Sequence, residues 1–324
     1  MSGQQHQPIE SPLSPEVPPT LLAGYEDLDE ADKAPATLAA YRSDWRAFTN
    51  WCDIHRHRSL PAVPDTVVAW LQAQTAAGYA VATIQRRLIT IRQHHHRNGR
   101  SSPTDNPQVQ AAWAAARRQI GTASRKVAPL TLELLRQVIA TCPSTPAGHR
   151  DHALLVIGFA GALRRSEIAR IGLTDIESDP AGIILTIRKS KTDQHGAGHR
   201  LGLPHGDAPD TCPVRVLAAW TAHLPTTAGP LFRPIDRHGN IANRHLSGRA
   251  VAEIIKRRCT LAGLDPDSYS GHSLRAGFAT SAAAAGATEI AIARQTRHRS
   301  MEVLRGYIRE GDLFRTNAAT TIGL

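Results

Sequence analysis

The spacing of apolar residues along this chain predicts a protein built mainly from α-helices. Between residues 37 and 52, apolar side chains recur every three or four residues, the period that returns them to one face of a helix. These residues are Leu38, Tyr41, Trp45, Phe48 and Cys52. Thr37 comes just before them, and its hydroxyl suits the N-cap, so we expect the first helix to begin there.

A second amphipathic helix is predicted over residues 81–97. Its apolar face consists of Val81, Ile84, Leu88 and Ile91. The opposite face holds polar side chains and no acidic residue; it comprises Arg86, Thr90, Gln93 and Arg97. Most charged helix faces are simply solvated, but the missing acids make contact with a polyanion an equal alternative.

The second half of the chain contains the only predicted sheet. In the segment 181–204, two β-rich runs flank a polar, glycine-containing connection, which is typical of an antiparallel hairpin. Helical spacing returns over residues 247–264 and 273–286. We therefore expect a mainly α fold with a small antiparallel β-sheet in its second domain.

Length and charge predict two domains and a polyanionic partner. A chain of 324 residues exceeds what one hydrophobic core usually serves. Its formal net charge of +10 and its pI near 10 favour nucleic acid as the partner. No apolar run could span a bilayer, and the first residues lack the pattern of a signal peptide. We expect a cytoplasmic, DNA-associated protein without membrane contact.

The distribution of charge suggests the domain boundaries. Residues 1–33 hold seven acidic residues and one lysine, which is typical of a disordered tail. Glycine, serine and proline break the helical pattern over 121–130, the natural linker. We expect a helical domain over 34–122, a second domain over 123–310 and a C-terminal tail over 311–324. Both predicted domains are basic, as two domains that contact one polyanion would be.

Neither a metal site nor another cofactor is expected. Cys52, Cys142, Cys212 and Cys259 lie far apart and form no CxxC pair, which favours reduced structural thiols over disulfides or zinc. The three consecutive histidines at 94–96 point in different directions from a helix. We therefore interpret them as a solvated or phosphate-facing run.

An arginine in an apolar context is the first candidate for chemistry. In "GFAGALRRSEI" an apolar helix stops at Gly161, and Arg164 follows Ala162 and Leu163. Such an arginine is usually either paired or functional. Glu167 lies three residues further on, so an ion pair within a helical turn is the structural alternative.

Two further segments hold unusual polar groups. In "SGHSLRAGFAT", His272 and Arg275 are three residues apart and lie on one helix face. In "RHRSMEVLRGYIRE", His298 comes nine residues before Tyr307 in basic surroundings. Tyr269 is a rival tyrosine, but it precedes the HxxR segment.

These segments together resemble the tyrosine recombinases, the phage-integrase family of DNA strand-transfer enzymes. "GALRRSEI" is similar to the family's first arginine segment, "TGLRxSEL", and "HSLR" to its HxxR box. The histidine nine residues before the tyrosine is the third element of the family. The resemblance covers roughly residues 35–310, because the segment around 81–97 is also similar to the family's core-binding domain. One departure is Arg297, since family members often have glycine before this histidine.

The resemblance implies a role for each residue. Tyr307 would be the nucleophile that forms a 3′-phosphotyrosyl link, and Arg164 and Arg275 would hold the nonbridging phosphate oxygens. Lys191, on the predicted hairpin, corresponds to the family's lysine and general acid, with Lys189 as the alternative. His272 would accept the tyrosine proton, and His298 would hydrogen-bond the phosphate. Glu167 would orient His272 or its neighbours.

The resemblance also implies how the protein would engage DNA. The expected layout is the two-domain, Cre-like or Xer-like kind, a C-shaped clamp on double-stranded DNA with short paired sites, with a homotetramer in the synaptic complex. The expected DNA-binding residues are Arg86, Arg87, Thr90, Gln93, Arg97 and Arg249. The tail 311–324 would dock on a neighbouring subunit. A type IB topoisomerase and a catalytically silent DNA-binding relative are the alternatives.

Overall fold

The computed structural model describes residues 35–121, 127–188, 198–297 and 301–311. Its contacts separate the chain into two compact units, one that ends at Arg125 and one that begins at Lys126. No helix within these described ranges is both long and apolar enough to cross a membrane.

In the first unit, the regular elements within residues 35–121 are all helices. Its elements are α1 (Pro35–Ile54), α2 (Pro64–Ala76), α3 (Val81–Arg97), a 3₁₀ turn (Pro103–Asp105) and α4 (Pro107–Ile120). The predicted apolar face of α1 is used, since Phe48 and Cys52 are buried in the core of this unit. The predicted start is wrong, because α1 begins at Pro35 and Thr37 lies inside it. Proline suits the first turn of a helix, where its missing N–H has no partner to lose.

Helix α3 buries the predicted apolar positions Ile84, Leu88 and Ile91. Thr90 is buried as well, and its hydroxyl donates to the Arg86 carbonyl at 3.0 Å. His95 is also buried: the Ala62 N–H donates to its Nε2 at 2.9 Å, and its Nδ1 lies 2.8 Å from the Ile91 carbonyl. This histidine is therefore a core residue, neutral and protonated on Nδ1. The prediction of a solvated or phosphate-facing run is wrong at this position.

The described part of the second unit is mainly helical and contains one sheet. Its helices are α5 (Leu132–Ile139), α6 (Pro146–Ala160), α7 (Arg165–Ile168), α8 (Pro213–Thr221), α9 (Gly248–Leu261), α10 (Ser273–Ala284), α11 (Glu289–Thr296) and α12 (Met301–Gly311). Short 3₁₀ turns lie at Leu173–Asp175 and Pro266–Ser268. The four cysteines of the chain are free.

The sheet has three antiparallel strands in the order β1 (Ile176–Asp179), β2 (Gly182–Ile187) and β3 (His199–Pro204). The predicted hairpin is β2 and β3, which pair from Gly182 opposite Pro204 to Ile187 opposite His199. Strand β1 was not predicted, because "IESD" is short and polar and has exposed residues at three of its four positions. The fold class is confirmed: mainly α with a small antiparallel sheet.

The core of the second unit positions the segments that carry the candidate residues. Helix α10 lies against the segment before α5, and the Leu130 N–H donates to the Ser273 carbonyl at 3.0 Å. Gly277 permits this approach, since a Cβ there would lie 1.8 Å from the Leu130 carbonyl oxygen. A smaller apolar cluster joins α10 to α11 and α12 through Ala279, Ile292 and Leu304. These contacts bring the HxxR segment and the helix of Tyr307 together.

Candidate active site

Arg164 lies in the turn between α6 and α7, where the sequence left an ion pair and a functional role open. Its backbone N–H donates to Glu167 Oε2 at 2.9 Å, and its Nη1 donates to Oε1 at 2.7 Å. The carboxylate lies at the start of a helix, where it satisfies a backbone N–H that has no partner in the helix. The ion pair therefore exists, and it fixes the direction of the Arg164 side chain.

Glu167 has a second partner that the sequence analysis missed. Arg297 Nη2 donates to Glu167 Oε2 at 2.8 Å, and the Arg297 side chain is only 8% exposed. Glu167 thus orients Arg164 and Arg297 within the described part of the chain, whereas we expected His272 or its neighbours. The only signal in the sequence was that Arg297 stands where the family often has glycine.

Arg275 lies in α10 and is almost completely buried, with 1% of its surface exposed. Its Nη1 donates to the Ala162 carbonyl at 2.8 Å. Its Nε and Nη2 are buried and donate to no acceptor within the described residues. Burial and the charges of Arg164 and Arg297 lower the pKa of Arg275 to about 9. The group remains charged at neutral pH, and two of its nitrogen atoms have no acceptor among the described residues.

His272 and Tyr307 are in direct contact, although 35 residues separate them. The Tyr307 hydroxyl lies 3.1 Å from His272 Nε2. Burial, followed by the charges of Arg275 and Arg164, lowers the pKa of His272. The imidazole is therefore neutral at pH 7, and its Nε2 can accept a proton from the tyrosine.

The site as a whole has a large excess of buried positive charge. Three guanidinium groups, those of Arg164, Arg275 and Arg297, surround one carboxylate, that of Glu167. Buried N–H donors without a partner are costly unless a ligand satisfies them. A phosphate group has the charge and the oxygen geometry that guanidinium groups bind best. The arrangement can therefore hold a phosphate beside the hydroxyl of Tyr307.

Two of the six predicted catalytic residues lie outside the described residues. Lys191 belongs to the undescribed range 189–197, as does its alternative Lys189, and His298 belongs to 298–300. The predicted tail 311–324 is described only at Gly311. The structure thus brings together Arg164, His272, Arg275 and Tyr307, together with Glu167.

The face of α3 that was predicted to bind DNA has an acidic residue against it, which the sequence analysis did not anticipate. Asp44, in α1, lies against this face and accepts hydrogen bonds from Arg86 Nε at 2.7 Å and Nη2 at 3.0 Å. Arg87 bonds the Gln74 amide oxygen and stacks over the ring of Tyr79, with 4.0 Å between its guanidinium carbon and the ring centroid. An acid 42 residues away in sequence thus offsets part of the charge.

The remaining members of the predicted set differ in exposure. Thr90 is buried, so the prediction that it belongs to the exposed face is wrong. Gln93 and Arg97 are half-buried. Arg249, in α9 of the second unit, is 89% exposed and pairs with Glu253 at 2.7 Å. Of these side chains, Arg249 is the most accessible.

Comparison with known proteins assigns this chain to a family. Residues 128–312 match the model of the phage integrase family, and residues 23–97 match that of its N-terminal SAM-like domain. An integrase/recombinase XerD homolog from Selenomonas ruminantium is 39% identical over 293 residues, which is 89% of this chain and 86% of that protein. The Cre recombinase of Escherichia phage P1 is 28% identical over 286 residues and 82% of each chain.

A solved structure, a lambda integrase dimer bound to a COC′ core site, has a similar fold. Its TM-score is 0.61 at 17% identity, over 90% of this chain and 77% of that one. At this identity the likeness concerns the fold alone. The fold and the relatives together define the class of the protein as a tyrosine recombinase, an enzyme of DNA recombination. The chain belongs to the phage integrase family.

Proposed function

We propose that this protein is a site-specific DNA recombinase whose nucleophile is Tyr307. The observation that carries the proposal is the contact between the Tyr307 hydroxyl and a neutral His272, 3.1 Å apart, beside donors of Arg275 that have no acceptor among the described residues. A nucleophile, a base within hydrogen-bond reach and a site for the anion are the three groups that such a transfer requires.

The proposed reaction exchanges one phosphoester for another. Tyr307 Oη attacks the phosphorus, its proton passes to His272 Nε2, and the bond from phosphorus to the 5′-oxygen breaks. Arg164 and Arg275 bind the nonbridging oxygens, where negative charge develops. We propose Lys191 as the donor of a proton to the leaving oxygen and His298 as a hydrogen-bond donor to the phosphate. Because the 3′-phosphotyrosyl link conserves the ester, rejoining needs no nucleotide cofactor.

The DNA substrate is proposed to be a duplex with short paired sites, recombined through a Holliday junction. We propose phosphate contacts from the basic residues of the predicted set that have exposed or half-buried side chains, together with Gln93. They are Arg86, Arg87, Arg97 and Arg249. Such contacts position the protein on the backbone and carry no sequence information by themselves. The relatives named recombinase support this choice of substrate.

We propose a homotetramer as the synaptic assembly, with the tail 311–324 docked on a neighbouring subunit, and the cytoplasm as the place where it acts on DNA. Deletion of residues 311–324 should then abolish synapsis of two sites in a gel-shift assay while single-site binding persists. Unchanged synapsis by the truncated protein would contradict the docking role.

A nicked suicide duplex tests the nucleophile. The wild-type protein should form a covalent DNA adduct on a denaturing gel, and Tyr307→Phe should form none. Tyr269→Phe is the matched control, because it removes the hydroxyl of the rival, buried tyrosine. An adduct that survives in Tyr307→Phe would contradict the assignment, and a wild-type protein that forms none would favour the catalytically silent alternative.

A supercoiled plasmid with two sites separates recombination from the topoisomerase alternative. A recombinase yields deletion or inversion products whose junctions can be sequenced. Relaxation of the plasmid without any exchanged product would instead support a type IB-like topoisomerase.

A further inference from the structure

The last residue before the undescribed segment 298–300 adopts a backbone conformation that arginine rarely takes. Helix α11 ends at Thr296, and Arg297 follows with φ 55° and ψ 42°, in the left-handed region. Glycine adopts this conformation at helix ends without steric cost, and it is the usual residue there. An arginine at such a position therefore calls for a compensating role of its side chain.

The side chain of Arg297 is turned into the site. Its Nη2 donates to Glu167 Oε2 at 2.8 Å and lies 3.4 Å from the Ala162 carbonyl, and its Nη1 lies 3.2 Å from the Gly161 carbonyl. The Ala162 carbonyl also accepts from Arg275 at 2.8 Å, and Ala162 is itself left-handed, with φ 45°. Arg297 thus connects the end of α11 to the turn that precedes Arg164.

The hydrogen bonds of Glu167 show what this connection does. Oε1 accepts from Arg164 Nη1, and Oε2 accepts from the Arg164 backbone N–H and from Arg297. Arg164 therefore gives only one side-chain N–H to Glu167. Without Arg297, Oε2 of Glu167 could accept a hydrogen bond from a second guanidinium N–H of Arg164. An arginine and a carboxylate readily form such a pair with two hydrogen bonds. That pair would use the donors of Arg164 that a phosphate needs.

We propose that Arg297 is a positioning residue that keeps Arg164 available to the DNA phosphate by occupying the second oxygen of Glu167. The inference rests on the proposed function and deepens it. Arg297 also raises the charge of the arginine–carboxylate cluster by one unit. A dianionic transition state is therefore stabilised more than the monoanionic phosphodiester from which it forms.

The test is Arg297→Gly, measured on the nicked suicide duplex under single-turnover conditions. Glycine is the residue best suited to φ 55°, so the variant should fold, and its melting temperature reports that directly. We expect cleavage to be about ten- to hundredfold slower, the size of effect seen when a group that orients a binding residue is lost. The Kd for DNA should stay within about twofold of wild type, because one buried contact among many phosphate contacts changes little.

A double variant distinguishes this role from a merely structural one. In Arg297→Gly with Glu167→Gln, the neutral amide cannot form the competing two-bond ion pair, so cleavage should be faster than in Arg297→Gly alone. If the two substitutions slow cleavage independently, so that the slowing in the double variant is the product of the two single slowings, the proposal is wrong. Arg294→Ala is the control for charge, since this exposed arginine lies in the last turn of α11, and cleavage of bound DNA should be unchanged.

The outcomes separate the two proposals. If the wild-type protein forms no adduct, the proposed function fails and this inference fails with it. If the wild type forms the adduct and Arg297→Gly cleaves at the same rate, the inference alone is wrong. Should Arg297→Gly not melt cooperatively, Arg297→Met, which removes the charge and every N–H donor but keeps a long side chain, is measured in the same way and should show the same slowing.

Discussion

Two buried carboxylates in the second unit, those of Asp151 and Glu167, are each surrounded by arginines. They differ in whether the N–H donors of these arginines find acceptors within the protein. Asp151 Oδ1 accepts from Arg150 Nε at 3.0 Å and Nη2 at 2.7 Å. Its Oδ2 accepts from Arg258 Nε at 2.9 Å and Nη2 at 2.7 Å, and from Arg257 Nη2 at 2.8 Å. The remaining Nη1 of Arg258 reaches the Thr141 carbonyl at 2.8 Å. This cluster uses its donors within the protein.

The Glu167 cluster has similar residue types and similar burial, but some of its arginine N–H donors have no acceptor among the described residues. Arg275 Nε and Nη2 and Arg297 Nε are buried without an acceptor among the described residues. The comparison teaches that an arginine around a buried carboxylate is not by itself a sign of function. What indicates a ligand here, an anion, is that several buried guanidinium donors without an acceptor among the described residues lie together around one carboxylate.

The largest effect is expected at Asp151. Asp151→Ala removes the carboxylate that Arg150 and Arg258 share, and both arginines have side chains only 6% exposed. Uncompensated buried charge of this kind costs about 3–5 kcal/mol of the free energy of unfolding. Urea denaturation measures the loss. Glu253→Ala removes a carboxylate that is 61% exposed and should cost under about 0.5 kcal/mol. A small loss in Asp151→Ala would mean that this cluster does not hold the fold.

The next prediction compares one buried arginine from each cluster, Arg275 near Glu167 and Arg258 near Asp151. Arg275→Lys replaces the planar fork that we assign to the phosphate, so cleavage should slow by about a hundredfold or more while stability changes little. Arg258→Lys should do the reverse, with lower stability and an unchanged rate of cleavage by the folded protein. Equal effects of both substitutions on cleavage would remove the distinction between the clusters.

The smallest effect is a dependence of cleavage on pH. The pKa of His272 lies below its ordinary value of 6.5, so the base is neutral at pH 7. Cleavage should therefore be flat around neutrality and should fall only as the pH drops through this lowered pKa, because protonated His272 cannot accept the Tyr307 proton. His272→Asn should be slow and should lack this acid limb. An acid limb that persists in the variant would show that another group titrates.

The sequence predicted those parts of the site that are marked by a pattern within one short segment of the chain. Arg164 stood out in an apolar segment, and both the HxxR spacing and the position of His298 nine residues before Tyr307 could be read directly. Helices with a regular apolar period were predicted for the same reason. The sequence could not distinguish an arginine with a distant partner from one with none, since that depends on contacts between residues far apart in the chain.

Three particular residues show this limit. Asp44 reaches Arg86 across 42 residues, so the face of α3 looked free of acids. His95 looked like a solvated histidine, although its acceptor nitrogen is bonded to a backbone N–H 33 residues earlier. Arg297 looked like one more basic residue in a basic stretch, because its partner Glu167 lies 130 residues earlier. In each case, a contact with a distant segment of the chain determines the role of the residue.

The central claim is that the hydroxyl beside His272 and the arginine site attacks DNA. The most direct measurement is to form the adduct on a nicked duplex, digest it with trypsin and identify the modified peptide by mass spectrometry. We predict that the phosphate-linked DNA is on the peptide of residues 306–309, which contains Tyr307. An adduct mapped to Tyr269 or to any other residue would contradict the account.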